Sequence, residues 1–323
     1  MQQTNNRFVK VYNNISEFSP VPDATVTIGT FDGVHKGHNK ILNRLKEAAR
    51  EMNGESVLLT FYPHPRMVLQ PDVRVEMLNS QREKIKLLRE AGIQHLIIHP
   101  FTIDFSRTES ATFVRDILVN QIKTKKLVIG YDHHFGKNRE GSFEYLRELA
   151  HVYEFEVEEI SALDIDDVNV SSTKIRRALK AGKPKQAGEY LGYNYEVTGK
   201  VVEGKKLGRT LGFPTANIKP EADEKLIPAN GVYAIKAHVN NQTRYGMLNI
   251  GEKPTVSNAH EITIEAHLFD FNEDLYGRDL TLSFLKRVRD EIKFESPEQL
   301  AQQLKADHEA VKAMLNLWVI KQL

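Results

Sequence analysis

Short aliphatic runs alternate with longer amphipathic stretches through the first half of the chain. The runs at 24–29 (ATVTIG), 56–62 (SVLLTFY), 95–99 (HLIIH) and 126–130 (KLVIG) predict strands covered on both faces, with a weaker one at 155–160 (FEVEEI). Helices are expected after Gly37, Ser80, Ser106 and Ser142, because Ser80 with Glu83 and Ser106 with Glu109 have capping-box spacing. Gly92 is the expected stop of the second. Such alternation predicts a parallel sheet with helices on both faces, an architecture that binds ligands at the carboxyl ends of its strands.

A further helix is expected at SSTKIRRALKAG, capped by Ser171 or Ser172 and stopped by Gly182. The pattern then changes. After a short helical connector at 182–194, strands follow without long helices between them, at 195–202, 231–239, 243–250, 262–269 and 280–288. The VNNQTR segment reads as a hairpin turn, since Asn tolerates left-handed backbone. Serial short strands predict an antiparallel barrel or sandwich. A last helix should start near Ser296, Pro297 and Glu298 and run almost to the end. The boundary falls between about 182 and 190, giving domains 1–186 and 187–323.

Composition narrows the classes. A chain of 323 residues suits two domains with separate cores. The net charge of +1 suggests neither a polyanion such as a nucleic acid nor an anionic membrane surface as main partner. With no cysteine, disulfides, thiolate metal sites and cysteine nucleophiles are excluded. The polar start, MQQTNNRFVK, lacks the order of a secretory signal, and no apolar run approaches the roughly 20 residues that cross a bilayer, so a cytoplasmic location is expected.

The first candidate chemistry is TIGTFDGVHKGHNKIL, Thr27 to Leu42. A strand ending at Gly29, a tight turn through Asp32 and Gly33, and a helix starting near Gly37 aim backbone N–H groups and a positive helix end at one point, which favours phosphate. His35 and His38, three apart, would face the same ligand and donate to phosphoryl oxygens. The plainer alternative makes His35 a cap and His38 a packing residue of the first turn. A metal reading has only two ligands and no third at obvious spacing. At 170–179, VSSTKIRRAL offers the hydroxyls of Ser171, Ser172 and Thr173 and the charge of Arg176, or an ordinary N-cap with a solvated face.

The second half has its own dense stretch, GKKLGRTLGFPTANI at 204–218. Glycines at 204, 208 and 212 permit close approach to phosphate, Pro214 fixes the backbone, and Thr215 with Asn217 supplies hard oxygens suited to Mg²⁺. A turn-rich loop between strands is the alternative. Downstream, in IEAHLFDF, alternation puts Ile262, Ile264, Ala266 and Leu268 on one face and leaves Glu265 on the other. An exposed glutamate solubilising a sheet edge would look the same. The P-loop-like spacing of GMLNIGEKPT is rejected, because Glu252 stands where the phosphate lysine belongs and strands surround it.

FDGVHKGH carries the H-x-G-H arrangement of nucleotidyltransferases, and with GYDHHFGKNREG (130–141) and VSSTKIRRAL it resembles the adenylyltransferase module of bacterial bifunctional riboflavin kinase/FMN adenylyltransferases. GKKLGRTLGFPTANI resembles the flavokinase motif of the same family, and IEAHLFDF its strand with the catalytic glutamate. The resemblance spans almost the whole chain and implies a Rossmann-like domain followed by a β-barrel with a C-terminal helix. It implies that the barrel phosphorylates riboflavin with ATP, with Glu265 as base and Mg²⁺ held through Thr215 and Asn217. Gly204, Lys205, Gly208, Arg209, Gly212 and Pro214 would line the nucleotide and flavin. It implies that the first domain joins FMN to AMP from a second ATP, giving FAD and pyrophosphate. There His35, His38 and Arg176 would stabilise charge, Gly29, Phe31, Asp32, Gly33, Gly37, Ser171, Ser172 and Thr173 would bind nucleotide, and Asp132 would lie near the flavin. Tyr62 before Pro63-His64-Pro65, and His133 with His134, depart from the family's frequent residues near that pocket. The rival readings are a flavokinase with a degenerate first domain, and a non-catalytic interaction module; intact HKGH and SSTKIR oppose the first and balanced charge the second.

Overall fold

The computed structural model describes residues 9–131, 135–137, 140–161, 170–204, 207–240, 242–254 and 260–320. They divide into two compact units, one running to Glu76 and from Gln81 to Ser171, the other taking Met77–Ser80 and everything from Ser172.

The first unit is a six-stranded sheet of β1 (Lys10–Tyr12), β2 (Thr25–Ile28), β3 (Ser56–Tyr62), β4 (His95–Pro100), β5 (Lys126–Gly130) and β6 (Glu156–Ile160), in the order β1-β4-β3-β2-β5-β6. Every pairing is parallel. Successive strand residues feed opposite cores, which is why the runs are continuously aliphatic. Leu59 joins Val26, Ile97 and Leu127 on one face, whereas Leu58 joins Leu96, Ile98 and Val128 on the other. Helix α1 (Lys36–Glu51) buries Leu42 and Leu45 in the second core, with Leu88 of α3 (Gln81–Glu90) beside them; α2 is the short Pro65–Leu69. The opposite face is covered by the π-helical segment Phe113–Ile122 and by α6 (Phe143–Tyr153).

This order positions the site. The chain moves outward from β2 through β3 to β4, then crosses back to place β5 on the other side of β2. The carboxyl ends of β2 and β5 therefore flank the topological switch point, where such sheets bind ligands. Gly29–His35 leaves β2 at that point.

Ser106 does not start a helix. It ends α4 (Ile103–Ser106), whose cap is Thr102 accepting from the Phe105 N–H, and its hydroxyl donates to the Ile103 carbonyl at 2.6 Å. Helix α5 (Ser110–Thr112) begins instead beyond Glu109 and continues into the π segment. The capping-box spacing was present, but one turn of helix had already used Ser106. By contrast Ser142 caps α6, and Gly92 takes a φ of +81° just past α3.

The second unit opens with α7 (Ser172–Lys180) and α8 (Pro184–Leu191), which stops at Gly192 with φ of 88°. A barrel follows from β7 (Glu196–Val202), β8 (Ala216–Pro220), β9 (Gly231–Val239), β10 (Gln242–Pro254), β11 (His260–Leu268) and β12 (Asp279–Arg289), with the turn α9 (Leu207–Thr210) before β8. It closes in the order β10-β11-β8-β7-β12-β9 with antiparallel neighbours. Val239 pairs with Gln242 across the expected hairpin turn, and Asn240 takes a φ of 50°. Tyr233, Leu248 and Ala266 stand at matched register positions and fill the interior, while Ala234 and Met247 face outward onto Val311 and Leu315 of α10 (Pro297–Ile320). Two strands, β1 and β8, were not expected. Ile262, grouped by alternation with the buried Ile264, Ala266 and Leu268, is 46% exposed near the strand's end.

Two candidate active sites

Three residues of the turn leaving β2 have left-handed backbone: Phe31 (φ 46°), Gly33 (φ 90°) and Val34 (φ 36°). For the β-branched Val34 this is unfavourable, a strain of the kind that concentrates at functional turns. A side chain at Gly29 would meet the Phe31 ring at 2.9 Å. The tight turn delivers His35 to the N-cap of α1, where its Nδ1 accepts from the His38 N–H at 3.3 Å. That bond satisfies one helix-start donor and leaves Nε2 as the protonated nitrogen of the neutral ring. The N–H groups of Lys36 and Gly37, also in the first turn, are without intrahelical acceptors and point off the helix end.

The two rings stack with centroids 3.7 Å apart and 13° between planes, and Phe31 lies against His38 at 4.9 Å. Burial holds the His38 pKa well below the usual histidine value, and the neighbouring His35 and Lys84 push it the same way. Its Nδ1 is buried without a hydrogen-bond partner among the described residues. Thus the capping role weighed for His35 is realised, and the stacked imidazole pair stands at the start of α1. Buried Asp32 lies in the same turn.

Ser171 closes the first unit, and Ser172, Thr173 and Arg176 stand on the opening turns of α7, with Ser171 and Thr173 exposed and Arg176 half-buried beside the fully buried Ile175. Asp132, His133, His134 and Lys205 lie outside the described residues, as does part of the 130–141 motif.

In the second unit, Glu265 sits mid-strand in β11, directly opposite Asn217 of β8 on one side and Asn249 of β10 on the other. Directly opposed residues share a face, so the three polar side chains form one row on the outer wall of the barrel. β11 is paired on both sides, so Glu265 is not an edge residue. The Asn217 amide packs against Gly204: a Cβ there would stand 2.0 Å from the amide nitrogen and displace it. Gly208 accepts at its carbonyl from the N–H groups of Leu211 and Phe213, and a Cβ on it would strike the Phe213 carbonyl at 2.3 Å. Gly212 takes a φ of 82°, so α9 can turn back into Pro214 and Thr215. Arg209 belongs to α9.

A cavity of about 240 Å³ opens along this wall, lined by Thr215, Asn249, Glu265 and His267 and, from α10, by Leu300 and Leu304. His267 Nδ1–H donates to the Pro214 carbonyl at 2.8 Å, tying the segment that carries Thr215 to the strand that carries Glu265. Burial lowers the His267 pKa, opposed by this hydrogen bond. At the far wall Arg289 grips buried Asp307 of α10, with N–O distances of 2.7 to 3.1 Å. Among the described residues no cluster of three or more His, Asp or Glu forms a metal cage. The hydroxyl of Thr215 and the amide oxygen of Asn217, two residues apart at the start of β8, are hard oxygens of the kind that suits a cation that keeps waters and shares phosphate oxygens.

Sequence reasoning missed Lys84, Asn249, His267 and the Arg289–Asp307 pair. Lys84 had a signal: it lies four residues before buried Leu88, on the apolar face of α3. Asn249 had one too, as the polar position between Leu248 and Ile250.

Known proteins converge on the same division. A family model described as FAD synthetase matches residues 19–174, and one described as riboflavin kinase matches 191–315. A bifunctional riboflavin kinase/FMN adenylyltransferase of Haemophilus influenzae is 36% identical over 292 residues, covering 90% of this chain and 94% of its own. The protein of the same description from Escherichia coli K12 is 33% identical over 312 residues, covering 96% and 98%. Among solved structures, one named as a macrolide-efflux protein from Streptococcus pneumoniae superposes with a TM-score of 0.83 at 31% identity, over 94% of this chain and 98% of that one. Among the described residues no helix is long and apolar enough to cross a membrane.

Proposed function

The chain belongs to the bifunctional riboflavin kinase/FMN adenylyltransferase family, and from that premise we propose how its own residues carry the two reactions. The adenylyltransferase half is N-terminal and the kinase half C-terminal. We take them as residues 1–186 and 187–323, with α7 assigned to the first by its motif although it packs in the second compact unit.

In the kinase half, riboflavin would occupy the cavity along the outer wall, with its 5′-hydroxyl at Glu265. Glu265 accepts the hydroxyl proton as that oxygen attacks the γ-phosphorus of ATP, and ADP leaves. The row Asn217–Glu265–Asn249 supports this most directly, because register alone sets the carboxylate beside the amide that follows Thr215. Mg²⁺, held through Thr215 and Asn217, would offset phosphate charge. Gly204, Gly208, Gly212 and Pro214 shape the loop that approaches the phosphates, and Lys205 and Arg209 are assigned to the nucleotide and flavin.

In the first half, an oxygen of the FMN phosphate attacks the α-phosphorus of a second ATP. The bond to the β-phosphate breaks, and FAD and pyrophosphate result. The attacking phosphate is already anionic, so no base is required. The chain's task is orientation and stabilisation of added charge. His35 through Nε2–H, His38, and the Lys36 and Gly37 amides donate at the end of α1. Gly29, Phe31, Asp32 and Gly33 shape the turn, while Ser171, Ser172, Thr173 and Arg176 serve the departing pyrophosphate. Asp132 is assigned to the flavin, in a cytoplasmic enzyme.

Purified protein given riboflavin, ATP and Mg²⁺ is expected to form FMN and then FAD, followed by chromatography of the flavins, and chelation of Mg²⁺ should stop FMN formation. FMN without FAD, even with pyrophosphatase added, would remove the first-half assignment.

A further inference from the structure

One buried cation is not used by the mechanism above. Lys84, on α3, is 7% exposed, and its Nζ donates to the Thr30 carbonyl at 3.0 Å. Thr30 lies inside the strained turn, between Gly29 and the left-handed Phe31, and its carbonyl also accepts from the Thr60 hydroxyl at 3.4 Å. A buried ammonium is costly unless paired, and long charged side chains are seldom placed beneath a turn without a reason. Burial lowers the Lys84 pKa and the countercharge of Asp32 opposes it, while the positive field of Lys84 falls on His38, which packs against His35 and the Phe31 ring. All of these groups belong to the first compact unit.

We propose that Lys84 is a positioning residue for adenylyl transfer: it pins the Thr30 carbonyl, so holding the turn that delivers His35 and His38, and sets the charge that faces His38. The proposal rests on the reading of the first half as the adenylyltransferase. The turn has three left-handed residues, so a fixed donor beneath Thr30 helps to keep it from relaxing. A cation at that place adds to burial in disfavouring a positive charge on His38.

The test uses the full chain with Lys84→Met, which removes donor and charge, and Lys84→Gln, which keeps a donor but removes the charge. The FAD rate from supplied FMN should fall roughly tenfold or more in Lys84→Met, mainly in kcat, since small misplacements of catalytic groups cost that much. It should fall less in Lys84→Gln. FMN formation from riboflavin, in the other half, should stay unchanged and report an intact chain. Independently of activity, the His38 ring titration followed by NMR should move to higher pH in both variants. Wild-type FAD formation, or unmoved His38 titration, in Lys84→Met overturns the proposal, and so does a parallel loss of FMN formation. If the wild-type protein itself makes no FAD, the adenylyltransferase reading fails instead, and the NMR shift still judges what Lys84 does to His38.

Discussion

A methyl group at Gly204 would stand 2.0 Å from the Asn217 amide nitrogen, too close for non-bonded heavy atoms, so the amide would have to move. Gly204→Ala should therefore displace Asn217 from the row it shares with Glu265 and lower FMN formation by about a hundredfold, the scale of ångström misplacement of a reacting group. FAD formation from supplied FMN should be unchanged in the same preparation. The glycine was legible as permissive, but the atom it makes room for was not, because Gly204 and Asn217 are brought together by the return of α9 into β8. His35 teaches the converse. The sequence offered capping and phosphate binding as alternatives, yet the structure puts the cap bond at Nδ1, a nitrogen distinct from the Nε2 proposed for the phosphate, so the two roles do not exclude each other. His38 is drawn into burial by the Phe31 ring and α1, a context its spacing from His35 does not encode.

Among the elements, strands with an uninterrupted aliphatic run were read well and strands without one were not. The ranges SVLLTFY, KLVIG and GVYAIKAHV are strands with the expected bounds, because their aliphatic runs are buried by whole sheets. β8 was hidden inside a motif rich in glycine and proline, and is a strand only because β7 and β11 pair with both its edges. At Ser106 a local signal lost to the preceding helical turn capped by Thr102. Helix α10 is held to the barrel by more than its apolar face: Asp307, 2% exposed, binds Arg289 and accepts from Gln303. Asp307→Ala leaves Arg289 without its carboxylate and should cost about 3–5 kcal/mol, the range for breaking a buried pair. Urea unfolding followed by circular dichroism should show it as an earlier transition of the second unit. The KM for riboflavin should rise too, since Leu300 and Leu304 of the same helix line the cavity. An unshifted transition would show that α10 is held by packing alone.

For the whole molecule, two chemistries on one chain predict separable losses. Asn217→Ala should abolish FMN formation while FAD is still made from supplied FMN, and His38→Ala should do the reverse, both read by flavin chromatography. Loss of both activities in either variant would contradict two separate sites. The sequence by itself determined the two-part architecture, the strand–helix alternation, the motifs and their order, since these depend on residue type and spacing within a few turns of chain. Tertiary structure alone decided which distant residues meet. Strand order put the Gly29–His35 turn at the switch point, barrel register set Asn217 and Asn249 beside Glu265, and the packing of α3 carried Lys84 under Thr30. Those contacts join residues tens of positions apart, and only closure of the sheet and barrel around their cores fixes them.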